Sequence, residues 1–185
     1  MATPFAHAFV ACTLGKCFYE GRQPVKFWLI SAFCANAPDL DMIFYWFRLA
    51  PQSSLLGHRI FFHSISFAVL LGLLITIIFF REIKTYSKPW YKTWIFLTIA
   101  TASHGILDAL TYWGPGIAFF SPFDNTGYLC PCAPVPATGP STFFTPRIII
   151  HLACEIVWFW GGSLVILAIV ILFRKITRGR LQKSI

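Results

Sequence analysis

Charge is what this sequence has least of: 12% of its residues are Asp, Glu, Lys or Arg, and only 7 of 185 are acidic. Soluble domains carry about 25% charged residues, so an ordinary aqueous domain is excluded. A basic stretch ahead of the first apolar run is also missing. Met1 to Phe5 holds no Lys or Arg, and the first lysine, Lys16, follows the apolar residues. No cleavable leader is expected from that pattern. Between Gly114 and Pro146, a stretch rich in proline and glycine, there is no Lys or Arg at all. Six cysteines are scattered, and only Cys130-Pro131-Cys132 forms a local cluster. That is not a usual structural zinc spacing, and a strained local disulfide and two free thiols both stay open.

What is abundant is apolar surface: 57% hydrophobic and 18% aromatic residues, with a mean hydropathy of +0.67. The chain reads as a multi-pass membrane protein of one domain. Its net charge of +8 does not point to nucleic acid, because the basic residues sit at the ends of apolar runs, where they set topology. The expected partners are membrane lipids. The expected fold is an all-α membrane helical bundle over residues 1–175, with a basic cytoplasmic tail over 176–185.

About five membrane helices are expected. Pro4 to Tyr19 and Phe27 to Ala37 are short for spans, which need about 20 residues. Ile60 to Phe80, Thr93 to about Trp113, and Ile148 to Phe173 are the clear ones. The aromatic stretch Met42 to Leu49 reads as an interfacial anchor. The basic loop with Arg81, Lys84, Lys88 and Lys92, and the basic C-terminal residues, belong in the cytoplasm of a plasma (inner) membrane protein. Five crossings then put the N-terminus outside and leave only Arg48, Arg59 and Arg147 as outer basic residues.

Inside these apolar runs lie two pairs that do not belong to a lipid solvent. His104 and Asp108 are four apart, as are His151 and Glu155, so on helices each pair shares one face. Ionisable residues at the bilayer centre cost about 2.5–3.5 kcal/mol each on insertion scales, which marks them as functional candidates. With the orientation above, His63, His104, Asp108, His151 and Glu155 fall within about 5–14 Å of the outer boundary. His7 and Asp39 reach the same layer, so the site is expected near the extracytoplasmic face.

Imidazoles and carboxylates together suit zinc, manganese or iron, and a cation neutralises buried carboxylates. The metal-ligand candidates are His7, Asp39, His63, His104, Asp108, His151 and Glu155. The plain alternative for any pair is a buried interhelical hydrogen bond. Asp39 is the choice for a bridging ligand or general base. Asp41, two residues on, is less defined.

His63 reads as lying inside its span, and His58 as a loop residue touching the metal ligands or the substrate. Arg59, at the outer surface, either holds an anionic group such as phosphate or snorkels.

Thr3-Pro4-Phe5-Ala6-His7, Pro38-Asp39-Leu40-Asp41, His58-Arg59 followed by His63-Ser64, and His104 with Asp108 and Gly114 resemble the YdjM-like family of membrane-bound metal-dependent hydrolases. That family is distantly similar to the zinc-dependent phospholipase C and single-strand nuclease superfamily, whose members are helical bundles that hydrolyse phosphoesters. The resemblance implies that His63, His104 and Asp108 hold one metal, that His151 and Glu155 hold a second, that His7 holds a further one, and that Asp39 is the base. Five histidines are fewer than a three-zinc cluster uses, so two ions are expected.

The leading expectation is hydrolysis of a phosphoester in a lipid or lipid-linked substrate by metal-activated water, with Asp39 and Arg59 in catalysis. A transporter or proton pathway is the alternative, but the inner halves of the last three spans hold no acidic, basic or histidine residue. A metal-stapled structural bundle is the third reading. Whether 114–146 is a lid is open, since it joins the two helices that carry the paired residues.

Overall fold

The computed structural model describes residues 1–112, 114, 116–138 and 144–183, with side chains to 179. Trp113 and the 139–143 part of the proline-rich loop lie outside the described residues.

The chain is mainly helical. α1 spans Pro4–Phe18, α2 Val25–Asn36 and α3 Met42–Trp46. α4 spans Ile65–Phe79, α5 Lys88–Ala109, α6 Arg147–Glu155 and α7 Gly162–Lys183. Local chemistry sets the starts. Thr3, Ser64 and Ser87 each accept a backbone N–H at an N-terminus, and Pro4 and Pro89 follow two of those caps, where a missing N–H costs nothing.

Two 3-10 turns, Ala37–Asp41 and Phe61–His63, carry the residues between helices. A two-residue parallel pair, β1 (Thr111–Tyr112) with β2 (Val135–Pro136), ties the loop after α5 to the bundle.

α4 packs on α5, α1 on α2, and both α1 and α2 on α5. α5 is therefore the central element, with twelve buried residues. One apolar core joins Phe27, Cys34, Ile75, Phe96, Leu97 and Ala100. A second gathers Ala6, Val10, Leu107, Val135 and Phe159. His104 lies on α5 between Ala100 and Leu107, where the two cores meet.

The expected spans shift in three places. The span starting at Ile60 begins as a helix only at Ile65, because Ser64 leaves helical geometry and caps Phe67 N–H. His63 thus sits on a turn ahead of the helix, not within it. The next helix starts at Lys88, five residues early, at the Ser87 cap. The last is continuous through a π-helical segment, Ile156–Gly161, and carries the chain past residue 175 to Lys183 without a break.

Among the described residues one helix, Arg147–Gly179, is long and apolar enough to cross a membrane, while Ile65–Phe79 is apolar but shorter. At 1.5 Å per residue that shorter helix covers about 22 Å of a hydrocarbon core of about 30 Å. α3 buries none of its side chains, which suits the anchoring expected of its aromatic rings. All six cysteines are free thiols.

Candidate metal centre

The site is built where three chain segments meet the last turns of α5. Gly105 makes the meeting possible. A Cβ there would lie 2.9 Å from the His63 carbonyl oxygen, so only glycine lets the 61–63 turn rest on the helix beside His104. The 37–41 turn, continuing from α2, brings Asp39 and Asp41 to the same place. α1 adds His7, held by the cap at Thr3.

Asp39, His63, His104 and Asp108 each point one ligand atom into a common space, all within 4.8 Å of one another. His104 Nδ1 donates to the Ala35 carbonyl at 2.8 Å. A carbonyl can only accept, so the tautomer is fixed and Nε2 offers a lone pair. That atom lies 3.2 Å from His63 Nε2 and 3.3 Å from Asp39 Oδ1. His63 Nε2 is 3.7 Å from Asp39 Oδ1 and 3.9 Å from Asp108 Oδ2. Its other nitrogen, Nδ1, faces Asp41 Oδ2 at 3.2 Å.

Acceptor atoms crowded this closely require a positive charge between them. Two ligands held about 2.0–2.1 Å from zinc at a tetrahedral angle are about 3.3 Å apart; the His104–His63 and His104–Asp39 pairs have that spacing, and the His63–Asp39 and His63–Asp108 pairs are about half an ångström wider. Asp39 Oδ1, Asp108 Oδ2 and both nitrogens of His7 are buried without a hydrogen-bond partner among the described residues. Unpaired buried polar atoms are costly, so the residues fit a divalent cation.

Without a metal the same field holds a proton. Burial opposes the charge on His63, but the carboxylates of Asp39 and Asp41 outweigh it and push its pKa up to about 9. Burial also pushes Asp39 up, yet His104 and His63 more than offset this and hold the carboxyl below its usual range. Asp41 is likewise lowered against burial, by His58 and His63.

Asp41 does more than its sequence position suggested. It is fully buried, and Oδ1 accepts from His58 Nδ1 at 2.8 Å while Oδ2 accepts from the Arg59 backbone N–H at 3.3 Å. His58, Asp41 and His63 form a chain in which the carboxylate orients the ring of a ligand. They are also a second group whose ligand atoms come close enough for an ion.

His7 stacks on the His104 ring at 3.8 Å, with Nε2 3.7 Å from Asp108 Oδ1. It borders the four-residue group, with both of its nitrogens unpartnered among the described residues. Asp108 Oδ1 is itself held by Ala2 N–H at 2.8 Å.

Arg59 corrects an expectation. It is not at the surface but only 4% exposed, with Nη2 3.7 Å from Asp108 Oδ2. Its backbone adopts φ 71°, a strained choice for a non-glycine residue. Asp41 holds it from one side, and the Ala118 N–H, donating to its carbonyl at 3.0 Å, holds it from the other. Gly114, at φ +123°, leaves room for the guanidinium, since a Cβ there would lie 2.5 Å from Nη1.

His151 and Glu155 are buried too, but the structure gives them a hydrogen-bonded arrangement of their own. His151 Nε2 meets Glu155 Oε1 at 2.9 Å, and its Nδ1 meets the Pro136 carbonyl. Glu155 also accepts Thr3 N–H at 2.5 Å and Thr3 Oγ at 2.6 Å. They do not join the four-residue centre.

The loop after α5 covers the site region. Ile117, Ala118 and Val135 are buried, and Ile65 N–H donates to the Phe119 carbonyl. Beside His58 and Arg59 a cleft of about 470 Å³ remains, with Gln52, Gly116 and Asn125 on its walls.

Sequence reasoning missed Thr3 as a partner of Glu155, the Ala35 carbonyl and Gly105. Thr3-Pro4 does carry a visible cap signal, whereas a backbone carbonyl leaves no trace in residue type.

Comparison with known proteins adds the cellular setting. Residues 1–179 match the family described as YdjM inner membrane protein. The chain is 27% identical over 170 residues to inner membrane protein YbcI of Escherichia coli (strain K12), covering 86% of this chain and 91% of that protein. No solved structure matches.

Proposed function

The chain belongs to the YdjM inner membrane protein family, and from that footing we propose that it is a metal-dependent hydrolase of phosphoesters in a lipid or lipid-linked substrate. The observation that carries this reading is the convergence of His63 Nε2, His104 Nε2, Asp39 Oδ1 and Asp108 Oδ2 on one buried space. A divalent metal, with zinc favoured by this donor set, would be held by these four residues. When bound it supplies Lewis acidity and lowers the pKa of water.

The chain's own groups divide the remaining tasks. Asp39 has a side chain 18% exposed, while those of His63, His104 and Asp108 are fully covered. It is therefore the carboxylate placed to meet water from outside and accept its proton. Arg59, at the edge of the cleft, supplies a fork-shaped cation suited to a phosphate oxygen. Asp41 keeps the His63 ring oriented through Nδ1. The apolar packing of Phe27, Ile75, Phe96 and Leu97 beyond Ala100 supports a site open to one side rather than a path through the membrane.

The proposed topology has five crossings, with the N-terminus outside and the basic C-terminal residues in the cytoplasm. The test is metal analysis of detergent-purified protein beside Asp108→Asn, followed by release of phosphate-bearing head groups from lipid and lipid-linked substrates. Bound zinc or manganese that drops in the variant, with turnover that drops alongside it, is the expected result. Protein that holds no metal and takes none up overturns the reading.

A further inference from the structure

We infer that a basic cleft at the opposite end of α1 binds the head group of an anionic phospholipid. The cleft has a volume of about 880 Å³ and lies between the C-terminal end of α1 and the 167–179 part of α7. Lys16 is nine residues beyond His7, about 14 Å along the helix, so this is a separate place from the metal centre.

Its chemistry changes along its depth. Leu167 and Ile171 supply apolar walls, and Lys16, Arg174, Lys175 and Arg178 bring four cations against one carboxylate, Glu20. That carboxylate is engaged by Arg174 Nε at 3.2 Å and by Arg178. Arg174 is also committed to the helix end, donating to the Lys16 carbonyl at 3.3 Å and to the Cys17 carbonyl. The Arg174 bonds to the two carbonyls tie the helix end in place, and one carboxylate against four cations leaves an excess of positive charge.

Lys175 makes no ion pair among the described residues, and Lys16 rests its ammonium 4.8 Å from the Trp28 ring. A fifth cation stands close, Lys92, whose Nζ lies 4.4 Å from the ring of Tyr19, itself a wall of the cleft.

The cleft sits where the 147–173 apolar stretch gives way to basic residues, the level of lipid head groups on a crossing helix. A concave basic pocket with apolar walls, at the membrane surface and flanked by exposed Leu172 and Phe173, is complementary to a phosphodiester with acyl chains attached. A soluble phosphate would use the cations and leave the apolar walls idle.

The test is native mass spectrometry of the delipidated full chain titrated with phosphatidylglycerol or phosphatidylcholine in mixed micelles. Preferential retention of phosphatidylglycerol is expected. Lys16→Gln with Lys175→Gln should cut that retention about thirtyfold, since each lysine at an anionic surface contributes about fivefold. Glu20→Gln removes the opposing charge and should raise retention. This keeps the proposal testable if the double variant misfolds.

Equal retention of the two lipids, an unchanged double variant, or weakened retention in Glu20→Gln would each overturn it. So would displacement of phosphatidylglycerol by an equal concentration of inorganic phosphate.

Discussion

At the scale of single residues, the centre depends on polar contacts that turn ordinary rings into directed ligands. The Ala35 carbonyl fixes the His104 tautomer, and Asp41 faces His63 Nδ1, so both Nε2 atoms turn inward. Asp41→Asn should therefore weaken metal binding by about 10–100-fold, with helix content unchanged by circular dichroism. Asp108→Asn, which removes a ligand charge, should lose at least as much, read as metal per protein.

The proton on His63 gives a pH signature. Its pKa is raised to about 9 in the metal-free centre, so at neutral pH a metal must displace that proton. Metal loading should release about one proton per ion, and apparent affinity should rise about tenfold per pH unit up to pH 9, then level off. A pH-indicator titration in weak buffer reads the proton directly. No release at pH 7 would mean that His63 is already neutral there.

At the scale of elements, the site exists because turns, not helices, deliver half of its ligands. The 61–63 turn rests on α5 at Gly105, where a Cβ would be 2.9 Å from a backbone oxygen. Gly105→Ala should cost about 1–3 kcal/mol through overpacking and lower metal retention, measured by thermal unfolding in detergent and metal content.

The lock between α1 and α6 is a second element-level feature. Thr3 gives both its N–H and its hydroxyl to Glu155, and Thr3→Val removes the hydroxyl from a buried carboxylate. That change should cost about 1.5–3 kcal/mol, the range for hydrogen bonds to charged groups, seen as a lower unfolding midpoint.

At the scale of the whole molecule, the proposed orientation predicts which side of the membrane each segment faces. Cys132 is exposed on the loop between α5 and α6. With that loop outside, a membrane-impermeant maleimide should label Cys132 in spheroplasts without permeabilisation, and Cys132→Ser should remove most of the label. Labelling that appears only after permeabilisation would invert the topology.

The sequence by itself determined a helical membrane protein, the helix-borne pair His104 and Asp108, and the candidacy of His63 and Asp39. Helical periodicity and the cost of charge in an apolar run make such features local and legible. It did not determine the split between the two histidine–acid pairs, which look alike in spacing. Only the tertiary structure decided that His104 and Asp108 meet Asp39 and His63, while His151 and Glu155 bond to Thr3 and the Pro136 carbonyl. It also decided that Arg59 is buried and that Asp41 acts behind His63. Those outcomes depend on backbone carbonyls, caps and one close approach at Gly105 between segments far apart in the chain, which residue type and spacing do not encode.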